Sequence, residues 1–175
     1  MKKKNGFTLL ELLVVVLIIG ILAAIALPQY KKAVLKSKLH IGVSLVESLY
    51  QAQQSYALVN GDFATNIDAL DVEIPKNDSC TKTDVANYRS GYSCHFGVIN
   101  LNDRFSNIHF AVPNYQIAYI RYVKDFPFSY IPAKKFERSK RYCFANLQNN
   151  IAQKVCVEMG GVYLGEDSYK YYELQ

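Results

Sequence analysis

The sequence has little that catalysis would need. It has no nucleophile elbow, no phosphate-cradling glycine loop and no metalloprotease helix. Its three histidines, His40, His95 and His109, share no ligand spacing. There is no C-x-x-C, and gaps of 13, 48 and 12 residues between Cys80, Cys94, Cys143 and Cys156 do not suit a compact metal site. The expectation is therefore no enzyme, no metal and no cofactor. Charge is also missing from one long stretch: between Phe7 and Leu27 the only ionisable side chain is Glu11. Half the chain is hydrophobic and a fifth is charged, which argues against disorder or low complexity. No internal repeat is visible, and 175 residues suit one compact unit.

The formal charge of +5 is concentrated at one end. Without Lys2, Lys3 and Lys4 the balance is 17 basic to 15 acidic side chains, too even to argue for an anionic partner. As a helix the 7–27 run would be about 31 Å long, enough to cross a bilayer core of roughly 30 Å. Its cationic leader, residues 1–6, should stay on the cytoplasmic side. By composition the run could be a cleaved secretory signal, with Ala24-Ile25-Ala26 as a small-residue site. It could also be a plain anchor, in which Glu11 is a cost of about 2.5–3.5 kcal/mol at mid-helix and less near the interface.

Lys2-Lys3-Lys4-Asn5-Gly6 followed by Phe7-Thr8-Leu9-Leu10-Glu11 resembles the class III signal of type IV prepilins and pseudopilins. The likeness continues through Gly20, Ala23-Ala24-Ile25-Ala26 and Pro28 to Tyr30. The resemblance implies that a prepilin peptidase cuts between Gly6 and Phe7 and methylates the new Phe7 amine. It also implies that Thr8 and Glu11 serve assembly, Glu11 facing the Phe7 ammonium of an adjacent subunit. Glu11 could instead merely complement the helix N-terminal dipole, worth about 0.3–1 kcal/mol. The implied partners are identical or related pilin subunits, the peptidase, the inner-membrane assembly machinery and, before assembly, membrane lipid. The implied location is the inner membrane as a single-pass precursor with a periplasmic head, then a surface pilus. Alternatives are a type II secretion pseudopilin, or a secreted or anchored binding domain with an ordinary signal.

Past Pro28, Leu35, Leu39, Gly42, Val46, Leu49, Gln53 and Tyr56 recur at spacings of four and three, with Val34, Ile41, Leu45 and Ala52 beside them. This pattern predicts an amphipathic continuation over 28–60, ended by Asn60-Gly61. A single helix from Phe7 to about Val59 suits a fibre subunit. Residues 61–175 then form a head, with Thr65 or Asn66 capping a short turn. Strands are expected at Tyr92–Ile99, Asn107–Val112, Gln116–Val123 and Phe128–Ile131, with turns at Asn100–Asp103 and Pro113-Asn114. A helix is expected at Leu147–Met159, stopped by Gly160-Gly161. The fold expected is α+β and pilin-like, a long helical spine packed on an antiparallel sheet.

Four cysteines allow three pairings. Beyond a membrane span they should oxidise, and short separations favour Cys80–Cys94 and Cys143–Cys156. The Tyr142 to Cys156 stretch resembles the disulfide-bounded region of type IV pilins. Lys134, Lys135, Arg138, Lys140 and Arg141, interleaved with aromatics, could contact nucleic-acid phosphates. The favoured reading of the same residues is a solvated charged loop ahead of the disulfide-bounded region.

Overall fold

The computed structural model of the chain describes residues 7–74, 80–83, 89–102, 107–127, 135–138 and 140–175, without the side chains of 89, 115, 126, 127 and 135. It divides into two compact units, 1–34 and 35–175. Helix α1, Leu9–Asn60, runs through the boundary and contains Pro28.

In the first unit every described side chain from Phe7 to Lys31 is exposed. The helix starts at Thr8, whose carbonyl accepts from the Leu12 amide at 3.2 Å.

The second unit begins with the remainder of α1. Leu35, Leu39, Gly42, Val46, Leu49, Tyr50 and Gln53 are buried, so the four-and-three spacing marks the face that meets the head. Full burial of each Leu or Val contributes about 1.5–3 kcal/mol. Gln53 is polar on that face because its carboxamide clamps Ala64. It donates to the Ala64 carbonyl at 2.8 Å and accepts from the Ala64 amide at 2.9 Å. The helix ends where Gly61 turns to φ 80° and its amide donates to the Ala57 carbonyl. Asn66 then caps a short 3-10 turn, Ile67–Ala69.

Among the described residues ten strands follow: β1 Thr81–Lys82, β2 Arg89–Cys94, β3 Gly97–Asn102, β4 Asn107–Ala111, β5 Ile117–Tyr122, β6 Phe126–Pro127, β7 Lys135–Phe136, β8 Arg141–Asn146, β9 Gly161–Glu166 and β10 Tyr169–Leu174. Helix α2, Asn150–Glu158, lies between β8 and β9 and is capped by the Asn149 side chain. Eight strands form one antiparallel sheet in the order β1-β2-β3-β4-β5-β8-β10-β9, and β6 pairs with β7. Side-chain alternation gives the sheet two buried faces. One packs Ile99, Leu101, Ile108, Phe110, Ile117 and Tyr119 with α1 and α2; the other gathers Ile120, Tyr122, Phe136, Tyr142 and Tyr171. Phe136 of β7 covers that second face, stacked on Tyr122 at 4.9 Å and edge-on to Tyr142 at 4.7 Å.

The architecture is the α+β arrangement expected, with local differences. The run Tyr92–Ile99 is two strands, broken at His95-Phe96, because Cys94 pairs with Gly97 across a tight turn. Asn100, Leu101 and Asn102 belong to β3 rather than to a turn, while Asp103 lies outside the described residues. The expected strand Phe128–Ile131 also lies outside them. Strands β1, β6, β7, β8, β9 and β10 were not anticipated.

Candidate assembly segment

Thr8 and Glu11 are brought together at the start of α1. The Glu11 carboxylate accepts from the Thr8 amide and from the Thr8 hydroxyl, each at 2.8 Å. The Thr8 hydroxyl in turn accepts from the Glu11 amide at 3.3 Å. This is a reciprocal capping box, T-x-x-E. It satisfies two helix-terminal donors and gives Glu11 a partner within its own chain. The signal was present as the spacing of Thr8 and Glu11, and sequence reasoning missed it. Phe7 is 74% exposed beside this cap, and Gly6 lies outside the described residues.

Downstream of the cap, α1 is apolar all round. Its most hydropathic window is long and apolar enough to cross a membrane, and none of that window is buried. Such a surface is expelled from water and needs lipid or other helices around it. The chemistry on offer is packing, with a single carboxylate at one end. Gly20 has no atom within 4 Å of where a Cβ would stand, so nothing in its own chain requires the glycine.

The second half of α1 is held to the sheet by polar as well as apolar contacts. Glu47 accepts from the Tyr119 hydroxyl and lies 3.6 Å from the Arg121 guanidinium. Arg121 stacks 3.9 Å over the Tyr50 ring, and the Tyr50 hydroxyl donates to the Arg138 carbonyl. None of these four was singled out in sequence, because their partners sit 71 or more residues away.

The structure joins Cys80 to Cys94 and Cys143 to Cys156, with Cα separations of 4.2 and 5.7 Å. The second bond ties α2 to β8. Of the basic residues named as a possible anion surface, Lys140 is paired with Glu173 at 3.0 Å and Glu137 at 3.7 Å. The Glu173 hydrogen bond raises the Lys140 ammonium above its ordinary range. Arg141 donates to the Gln175 carbonyl. The Arg138 side chain is exposed; Lys134 and the Lys135 side chain lie outside the described residues. Lys140 is thus neutralised by acids of its own chain, while Arg141 spends a donor on a carbonyl and Arg138 faces solvent. His109 is buried among Asn100 and Asn107, His40 is exposed, and His95 packs edge-on against Phe96. Among the described residues no group of three or more His, Cys, Asp or Glu could hold a metal ion.

Residues 1–27 match a family described as the prokaryotic N-terminal methylation motif. The chain is similar to a fimbrial protein of Pseudomonas aeruginosa, 41% identical over 73 residues, covering 42% of this chain and 47% of the relative. It resembles the type IV major fimbrial protein FimA of Dichelobacter nodosus at 41% over 75 residues, 43% of this chain and 46% of the relative. A third relative, the type IV major pilin protein PilA of Myxococcus xanthus, is 48% identical over 54 residues, 31% of this chain and 24% of the relative. The chain spans less than half the length of these relatives. No solved structure matches it.

Proposed function

We propose that this type IV pilin-like chain, with its α+β pilin-like fold, is a structural subunit of a type IV pilus-like surface filament. The observation that carries the reading is the apolar segment 12–27 of α1, exposed along its length and preceded by one capped carboxylate, on a chain whose head buries a core of its own. Such a helix needs two successive environments, lipid and then other helices. The subunit is stored as a single-pass inner-membrane precursor with a periplasmic head. A prepilin peptidase cuts between Gly6 and Phe7 and methylates the Phe7 amine. Glycine suits that junction because its backbone enters an extended cleft without a Cβ.

Assembly moves the 7–27 helix from bilayer to fibre core, driven by the inner-membrane pilus machinery. Helices in lipid gain nothing from expulsion of water, so packing and charge must favour the fibre. Once cut, the chain carries an ammonium at Phe7, close to the Thr8–Glu11 cap. Within the fibre Glu11 then exchanges part of its local cap for the Phe7 ammonium of an adjacent subunit, which fixes axial register. The relatives named as major pilins, and the Cys143–Cys156 loop, favour a pilus subunit over a secretion pseudopilin.

Replacing Gly6 with tryptophan tests the processing step. The variant should accumulate in the membrane at precursor mass, residues 1–6 retained. Normal cleavage of that variant would contradict the assignment.

A further inference from the structure

Among the described residues of the 35–175 unit, six large hydrophobic side chains stay exposed: Ile41, Leu58, Val59, Val157, Val162 and Tyr163. Four of them gather at two grooves, and the grooves carry charges of opposite sign.

The first groove lies at the end of α1. Leu58 and Val59 are 88% and 85% exposed there. Val59 lines an open groove of about 400 Å³ with Tyr56, Leu70 and Asp71. The turn ahead of Leu70 is pinned to β2: the Ser90 hydroxyl accepts from the Ile67 amide at 3.1 Å and donates to the Asn66 side chain at 2.8 Å. Asp71 is exposed, as is Glu73 beyond it, and neither has an ion-pair partner among the described residues.

The second groove lies against α2. Val157 is 56% exposed and Tyr163 of β9 is 52% exposed. Val157 lines an open groove of about 420 Å³ with Lys154, Glu158 and Tyr172 of β10, and the Tyr163 ring stands 6.0 Å from that of Tyr172. Glu158 lies 4.0 Å from the Lys36 ammonium. Lys154 is exposed and has no ion-pair partner among the described residues. The Cys143–Cys156 bond holds this helix in place.

One surface is thus apolar and acidic, the other apolar and basic. They belong to opposite ends of the sheet, since β2 and β10 are five strand steps apart. At about 4.8 Å per step that is about 24 Å, too far for one chain to close the pair on itself. Large apolar side chains clustered in the open mark an interaction surface. A second copy of this chain supplies both the apolar match and the opposite charge. Contact between two different surfaces of identical chains adds copies head to tail, as an open fibre requires.

We propose that the α1-end groove of one copy docks on the α2 groove of the next, with Asp71 meeting Lys154 and with Leu58 and Val59 covering Val157 and Tyr163. The inference rests on the filament reading above and gives the heads an interface of their own.

Carbodiimide treatment of the full chain, both in sheared filaments and in detergent, tests this, because the reagent joins a carboxylate to an amine only where the two touch. Peptide mass spectrometry should find Asp71 joined to Lys154, in a ladder of dimers, trimers and longer species. Leu58→Ser with Val59→Ser keeps both reactive groups. It should lower the link about tenfold, roughly the burial of one such side chain, while the urea midpoint of the head holds. Asp71→Lys or Lys154→Glu alone should lower filament yield about fivefold, the upper end for an exposed ion pair, and the two together should restore both yield and link. An undiminished link in the serine variant, no rescue by the double reversal, or dimers without longer species would each overturn the contact. Filaments that form without the link would overturn it and leave the filament reading standing. The link in detergent, from a chain that never makes filaments, would support the contact and overturn the filament reading.

Discussion

Glu11 has two possible duties, and one side chain separates them. As the third helical residue its carboxylate caps Thr8; as a charge it can meet a neighbour's ammonium. Glutamine also closes a capping box but carries no charge. Glu11→Gln should keep the head's stability and membrane insertion yet lower filament yield as sharply as Glu11→Ala should. Wild-type filament levels from Glu11→Gln, counted by electron microscopy, would reduce the residue to a cap. The resemblance made Glu11 legible, but not its partner Thr8 in the box, since a motif gives position without geometry. The tyrosines were less legible still. Burial, with the Glu47 carboxylate beside it, pushes the Tyr119 hydroxyl far up; burial does the same to Tyr122, and burial with Asp167 to Tyr171. Unfolded tyrosine titrates near pH ~10. A raised folded value means that the stability is fully present below that pH and is lost as pH rises through the folded value. Phenolate absorbance should therefore show exposed tyrosines ionising near pH ~10 and these three ionising only as the head's circular dichroism collapses. Ionisation of all near ~10 with structure intact would contradict their burial.

Elements repeat this contrast between pattern and partner. The α1 stripe was legible because one face meets one sheet, so burial follows a period of 3.6. Gly42 lies in that stripe for a reason that spacing alone could not supply. A Cβ there would stand 1.8 Å from the Phe110 ring of β4, itself fully buried. Alanine would gain about 1 kcal/mol of helix propensity over glycine, and overpacking typically costs about 1–3 kcal/mol. With Phe110 closed in on every side the clash should win. Gly42→Ala should therefore lower the urea midpoint of the head, whereas Gly20→Ala should leave it unchanged. An unaltered or raised midpoint for Gly42→Ala would mean that the helix stands further from the sheet. The sheet's late strands were not legible. Gly161–Glu166 is a partly exposed edge with no clear apolar alternation. Tyr169–Leu174 puts Tyr171 on one buried face and Tyr172 on the other, so both parities look apolar and period two is blurred.

The whole molecule couples a head that completes its own core to a helix that cannot be satisfied alone. The head is pinned at several points: Gln53 on Ala64, Glu47 on Arg121 and Tyr119, and two disulfides. In the proposed passage of the apolar helix from lipid to fibre, the head's stability therefore need not change. The central claim is that passage, and it leaves a covalent record. Intact-mass and N-terminal peptide analysis of filaments sheared from the cell surface reads the record directly. The account predicts a chain that begins at N-methylated Phe7 and retains Cys80–Cys94 and Cys143–Cys156. A chain found only in membranes with residues 1–6 attached, or one that begins at Leu27, would contradict it.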